Sequence, residues 1–309
     1  MKIFLLGSIA FDELGQFKGY FKDLIHESHL EKLSLSFLVE DSVQSFGGCL
    51  GNVAYGLSLL NCPAVLCGVV GHDAEEYCQI FEGWGMDLSF LTVDAGGRTA
   101  RALITSDLDG AQIGHFTPGV MGERAPDFEI PSNAEAGDLF LLGPENPRRM
   151  LQAAEQAKTK GLRVLFDPGQ LLHVFSSEQL LSLVQGCEVL LLNEYEWQIF
   201  QQKTELSLEE LLEALPLLVI TRGELGLDLI TKEGSESIQA FPAEFLEGTG
   251  AGDAFRAGFL AGLFKAYTYA QAAELGTVLG SASVELPFAQ GYPLSSDRIL
   301  ALEKRGWTR

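Results

Sequence analysis

Val189-Leu-Leu-Leu192-Asn193-Glu-Tyr-Glu196 is the stretch whose reading decides the fold. Its apolar run has no polar alternation, which fits a strand buried on both faces of a sheet. The polar residues after it open a helical stretch over 194–202. The same unit, a short apolar run, a turn and an amphipathic helix, recurs in both directions along the chain. Further runs lie at 2–6, 64–70, 138–142, 163–166 and 217–221, with helical spacing over 52–60 and 147–160. This alternation predicts an α/β fold with a mostly parallel central sheet and helices on both of its faces.

Two stretches, about 14–44 and 99–116, break the rhythm. The second carries Asp109-Gly110 between two strand-like segments, a strong hairpin signal. They predict a small separate sheet attached to the main domain, serving as a lid over a site or as a dimer surface. The expected organisation is a main domain of 1–13, 45–97 and 118–309, with 14–44 and 98–117 forming the β-sheet lid. No repeat of fixed period runs through the chain.

The 309 residues are 47% apolar and carry a formal net charge of −21, a composition for a folded globular protein with an acidic surface. Such a surface repels phosphate backbones, so general nucleic-acid binding and polybasic membrane contact are not expected. A small anion remains admissible where backbone N–H groups converge. No apolar run approaches the ~20 residues of a membrane span. The first dozen residues hold one Lys and a short apolar run, which reads as a first buried strand rather than a signal-peptide core. The five cysteines form no CxxC pair, so reduced thiols and a cytoplasmic setting are expected.

Glu247-Gly-Thr-Gly-Ala-Gly-Asp-Ala-Phe255 is the sharpest local feature. Its glycines lead into a helix, where the amides of Gly250, Ala251 and Gly252 converge at the positive end of the macrodipole and suit an anion. Asp253 sits in the first turn, either as a simple cap or facing that anion. The spacing fails the dinucleotide fingerprint, and no phosphate-loop GK[ST] follows. The helix beyond carries a small face at Ala254, Ala257, Gly258, Ala261 and Gly262, which predicts very close packing on a neighbour. Phe46-Gly-Gly-Cys-Leu-Gly-Asn52 is a second glycine-rich turn entering a helix, and Asp12 follows the first strand. An Asp and an Asn at strand ends can each bind adjacent hydroxyls of a polyol, or serve as ordinary turn residues. Asn193 and Glu196 at a strand exit suit a hydrated Mg²⁺ or a plain helix start. Thr221-Arg-Gly-Glu-Leu-Gly226 forms a turn able to line a nucleotide.

Together these segments resemble the ribokinase-like (PfkB) carbohydrate and nucleoside kinase family, in the family's order and over nearly the whole chain. Gly47-Gly48…Asn52 followed by Gly68-Val-Val-Gly71-His-Asp73 is similar to its N-terminal signature, Gly248–Phe255 to its C-terminal one, and Asn193-Glu-Tyr-Glu196 to its NxxE motif. The resemblance implies a three-layer α/β/α domain with a β-sheet lid and an Mg-ATP-dependent transfer of the γ-phosphate to a hydroxyl. It implies Asp253 as general base, with the Gly250, Ala251 and Gly252 amides around the transferring group. Asp12, Gly47, Gly48 and Asn52 would hold the acceptor, and Thr221, Gly223 and Gly226 the nucleotide side. Asn193 and Glu196 would order Mg²⁺, Glu196 through water. A homodimer through the lid is also compatible with it.

Two departures stand out. Glu247-Gly248 precedes the loop where the family often has Asp-Thr or Asp-Pro, which bears on any monovalent-cation site. The strand at 163–166 ends in Asp167-Pro-Gly-Gln170, without the Asn and Arg that many sugar kinases carry. With Ser36-Phe-Leu38 and Phe255-Arg-Ala-Gly258, this pattern looks like a bacterial branch labelled adenosine kinase-like. The lid stretches carry Phe17, Tyr20, Phe21, Phe37, Phe46 and Phe116, which either stack a purine or form a small core of their own. The alternatives are a free sugar, or a sugar phosphate held by lid cations such as Arg98, Arg101, Lys18 and Lys22, or a ligand sensor without turnover.

Overall fold

Side chains alternate across a strand, so each doubly buried run must feed two cores. In the computed structural model, which describes residues 1–25 and 35–303, they do. Ile3, Leu5, Leu139, Leu141, Val189, Leu191 and Val219 face one way, onto helices Cys49–Leu59, Ala251–Phe264 and Tyr269–Ser283. Phe4, Leu6, Phe140, Leu142, Leu190, Leu192 and Leu218 face the other, onto helices Pro147–Lys160, Ser177–Val184, Glu194–Thr204 and Leu208–Ala214. The sheet between them has eight strands. Val65–Leu66, Ile3–Leu6, Leu139–Leu142, Arg163–Phe166, Val189–Asn193 and Leu217–Thr221 run parallel in that spatial order. An antiparallel hairpin, Leu227–Thr231 and Gly234–Ile238, closes the edge beyond Leu217–Thr221.

A second sheet has four strands, in the order Val39–Gly47, Ala10–Phe17, Ala100–Ser106 and Gln112–Thr117. Gly110 turns the expected hairpin at a φ of 81°. This sheet is the lid. Its strand Ala10–Phe17 carries Asp12, which the sequence reading had set in the main domain. Phe17, Phe21 and Phe37 pack on one another, with ring centroids 5.1 to 5.5 Å apart, so these three aromatics form a small core of their own. Positions 26–34 of the first lid stretch lie outside the described residues.

Two elements differ from their expected bounds. The run at 64–70 is two strands, Val65–Leu66 in the main sheet and Val69–Gly71 paired with Thr92–Asp94. The break falls at Gly68, where a Cβ would sit 3.1 Å from Ile9 Cδ1 and 3.2 Å from the Gly7 carbonyl oxygen. The helix expected over 52–60 starts at Cys49, because Gly48 at a φ of 82° turns the chain directly into it. The small face of Ala251–Phe264 meets Tyr269–Ser283 as closely as its composition required: a Cβ on Gly258 would lie 2.6 Å from the Leu275 carbonyl oxygen.

Candidate active site

The C-terminal ends of parallel strands and the glycine-rich helix starts face the same crevice, as open α/β sheets dictate. Gly250 is the N-cap residue of helix Ala251–Phe264, at a φ of 81°, and no side chain caps this end. The simple-cap reading of Asp253 therefore falls away. Its Oδ2 instead accepts a 2.8 Å hydrogen bond from Asn52 Nδ2, across 201 residues of sequence. Burial pushes the Asp253 carboxyl up to about 6, although Arg256 and the Asn52 bond pull it back.

Asn52 is itself locked. Its Oδ1 accepts from Gln290 Nε2 at 3.0 Å, and the same Gln290 nitrogen lies 2.6 Å from Tyr77 OH. Tyr77 donates onward to the Gly47 carbonyl at 2.9 Å. With its oxygen taken by Gln290, the Asn52 amide can present only its NH₂ to Asp253. Asn52 thus orients a carboxylate, a geometry absent from the sequence reading, which gave it to acceptor hydroxyls or to a plain turn. Gly47 is bare for a related reason: a Cβ there would strike the Asp12 carboxylate. Burial raises Asp12 to about 6. Gly48 completes the turn, its carbonyl accepting from the Asn52 amide at 2.9 Å.

On the other side of the helix start lies a cavity of about 490 Å³, the size of a small-molecule site. Thr221, Gly223, Gly226, Ala251 and Gly252 line it, with Phe241, Pro242, Phe245 and Val284 as apolar wall. Gly276 and Gly280, four residues apart on Tyr269–Ser283, keep one side open. This wall and the pair Tyr77–Gln290 escaped the sequence reading. A Tyr at helical spacing reads as core, and Gln290 lies in irregular chain, so only the spacing of Gly276 and Gly280 carried any signal.

Asn193 and Glu196 form a reciprocal capping box: the Glu196 amide donates to Asn193 Oδ1 and the Asn193 amide to Glu196 Oε2, both at 2.8 Å. The helix-start reading is what the structure shows, and the box leaves Glu196 Oε1 without a hydrogen-bond partner among the described residues. Burial, then Asp167, raise the Glu196 carboxyl, and Arg256 opposes them. An oxygen so placed fits an outer-sphere contact to Mg²⁺, which keeps most of its waters. Among the described residues no cluster of three or more His, Cys, Asp or Glu forms a direct metal site.

The two sequence departures also find their places. Glu247 Oε1 accepts from the amides of Gly248 and Thr249, at 2.8 and 3.2 Å, and so holds the glycine loop. Asp167 forms a buried ion pair with Arg256, whose Nη2 donates to Oδ1 at 2.7 Å. The lid cations are largely engaged: Arg101 pairs with Asp73 at 2.8 Å, Lys18 with Glu40 and Lys22 with Asp109. Against burial, the Thr99 amide and hydroxyl and Arg101 bring Asp73 down to about 2.

Residues 19–295 match the model of the pfkB family carbohydrate kinases. The chain belongs to that family. Among its pfkB relatives, the nucleoside kinase of Methanothermobacter thermautotrophicus is 31% identical over 244 residues, 78% of either chain. The probable fructokinase-6, chloroplastic, of Arabidopsis thaliana is 28% identical over 238 residues, 70% of this chain and 62% of that one. The structure of Burkholderia thailandensis nucleoside kinase in complex with inosine superposes with a TM-score of 0.87 at 32% identity, covering 98% of this chain and 96% of that one. The protein is accordingly a pfkB-type sugar or nucleoside kinase with a ribokinase-like fold.

Proposed function

We propose that this kinase transfers the γ-phosphoryl group of ATP to a hydroxyl of a nucleoside, with Asp253 as general base. The observation that carries the chemistry is the Asp253 carboxylate, aimed by Asn52 and set in the first turn of a helix whose N-terminal amides are uncapped by any side chain. Asp253 takes the acceptor's hydroxyl proton as that oxygen bonds to the γ-phosphorus; the bond to the bridging oxygen breaks and ADP leaves. The Gly250, Ala251 and Gly252 amides receive the charge on the transferring group. Glu196, beside Asn193, would hold Mg²⁺ through water, and the ion would supply positive charge to the phosphates. Thr221, Gly223 and Gly226, which line the cavity, shape the nucleotide side, and Asp12, Gly47 and Gly48, across the helix start from it, hold the acceptor.

The nucleoside acceptor is favoured by the nucleoside kinase relatives, which stand at 31% and 32% identity. A sugar phosphate would need a cluster of free cations, and of the four lid candidates Arg101, Lys18 and Lys22 are already paired, which leaves Arg98 alone. The lid edge strand Gln112–Thr117 is exposed along its length, with Ile113 and Phe116 outward, and suits a second copy of the chain. We assign the chain to the cytoplasm because its five cysteines are free thiols. No helix among the described residues is long and apolar enough to cross a membrane. An ADP-release panel over nucleosides, free sugars and sugar phosphates tests the assignment. Turnover of nucleosides is expected; turnover of free sugars alone overturns the nucleoside assignment, and a flat panel overturns the enzyme reading.

A further inference from the structure

Asp253, Asp167 and Glu196 come from a helix, a strand exit and another helix start, yet one buried guanidinium answers all of them. Arg256 pairs with Asp167 directly, and its charge acts on Asp253 and Glu196 as well. The side chains of Arg256 and Asp167 are 11% and 3% exposed. Gly252 is bare beneath the same group: a Cβ there would strike Arg256 Nη1. The guanidinium therefore folds back over Gly252, in the first turn of its own helix, at the end that is to receive a phosphoryl group. Asp167 is anchored in turn, its Oδ1 accepting from the Gly169 amide at 3.1 Å. Burial alone would lower the Arg256 pKa, but Asp167, Asp253 and Glu196 reverse this and keep it charged.

A buried ion pair is weak evidence for stability, since desolvation can outweigh the attraction. Placement against the glycine loop is what makes this one informative. On a chain of net charge −21, a polyanionic donor approaching three carboxylates needs a compensating positive charge in the protein. We propose that Arg256 is the positioning residue of the phosphoryl-transfer centre, a fixed cation packed against Gly252 at the start of its helix and held there by Asp167. The proposal rests on the kinase reading above.

Substitutions Arg256→Gln, Arg256→Lys and Asp167→Asn separate it from a structural role, read by kcat, acceptor KM, the pH profile of kcat/KM, ADP affinity by calorimetry, and thermal midpoint. The groups facing Asp253 are Cys49 and Asn52 from Cys49–Leu59, Asp167 from the strand exit, Arg256 on its own helix, and Tyr77 and Tyr292 at longer range. Arg256→Gln is expected to lower kcat by about 100-fold, with ADP affinity within about two-fold of wild type. It also moves the acidic limb upward by about one pH unit, because Asp253 loses the cation that favours its charged form. Arg256→Lys restores the limb and part of kcat. Asp167→Asn moves the limb the other way, since a negative neighbour is gone. Variants that lose rate only in proportion to lost folded protein, with the limb unmoved, overturn the proposal; if Arg256→Gln does not fold, a downward limb shift in Asp167→Asn beside an unmoved limb in Arg256→Lys supports it, and an unmoved limb in Asp167→Asn overturns it. Wild-type protein without turnover would overturn the kinase reading itself, a result distinguishable from an active wild type with indifferent variants.

Discussion

Asp253→Asn removes the proposed base without changing its shape, and its consequences differ in sign for activity and stability. A general base contributes about 10²–10⁴ in rate, so turnover should fall by at least about 100-fold, while ADP, proposed to lie on the far side of the helix start, should bind as before. Stability follows from the carboxyl's shift from 3.8 to about 6 on folding. A raised acid binds more protons folded than unfolded, so folding is penalised once pH exceeds the folded value and is unpenalised below the unfolded one. Two units at 1.36 kcal/mol each make this about 2–3 kcal/mol above pH 6, vanishing below about pH 4. For a chain this long the variant's Tm should exceed wild type by about 4 °C at pH 7.5. Asn can still offer an oxygen to Asn52 Nδ2, so the hydrogen bond survives the change. Coupled ADP release and thermal denaturation from pH 4 to 8 measure both effects. Turnover above a tenth of wild type would remove Asp253 as base. A Tm difference that does not grow with pH would show that the carboxylate is not desolvated as the structure has it.

Glu196→Gln should raise the half-saturating Mg²⁺ concentration about ten-fold, read from initial rates against Mg²⁺, while the capping box preserves the fold. Tyr77→Phe removes the hydroxyl that joins Gln290 to the Gly47 carbonyl. It should cost about 1–2 kcal/mol in denaturant unfolding and raise acceptor KM several-fold with ADP affinity unchanged. Gly258→Val forces side-chain atoms into the Leu275 carbonyl, 2.6 Å from the position of its Cβ. It should destabilise by about 3 kcal/mol or more, seen as a lower urea midpoint.

The sequence by itself determined the layers and the loop. Runs such as Val189–Asn193 are apolar at every position before the exit, which fits burial on both faces, and the glycines before Asp253 mark a turn into a helix start. The spacing of Gly258 and Gly262 likewise required a backbone contact, and Asp109-Gly110 a hairpin. Tertiary structure alone decided which polar groups meet. Asn52 and Asp253 lie 201 residues apart, Asp167 and Arg256 89, and Gln290 reaches Tyr77 across 213. Hydrophobic periodicity records which face of an element is buried. It carries no record of the partner that a buried polar atom finds there, because that choice is made only when distant segments share one crevice and each desolvated donor must be matched.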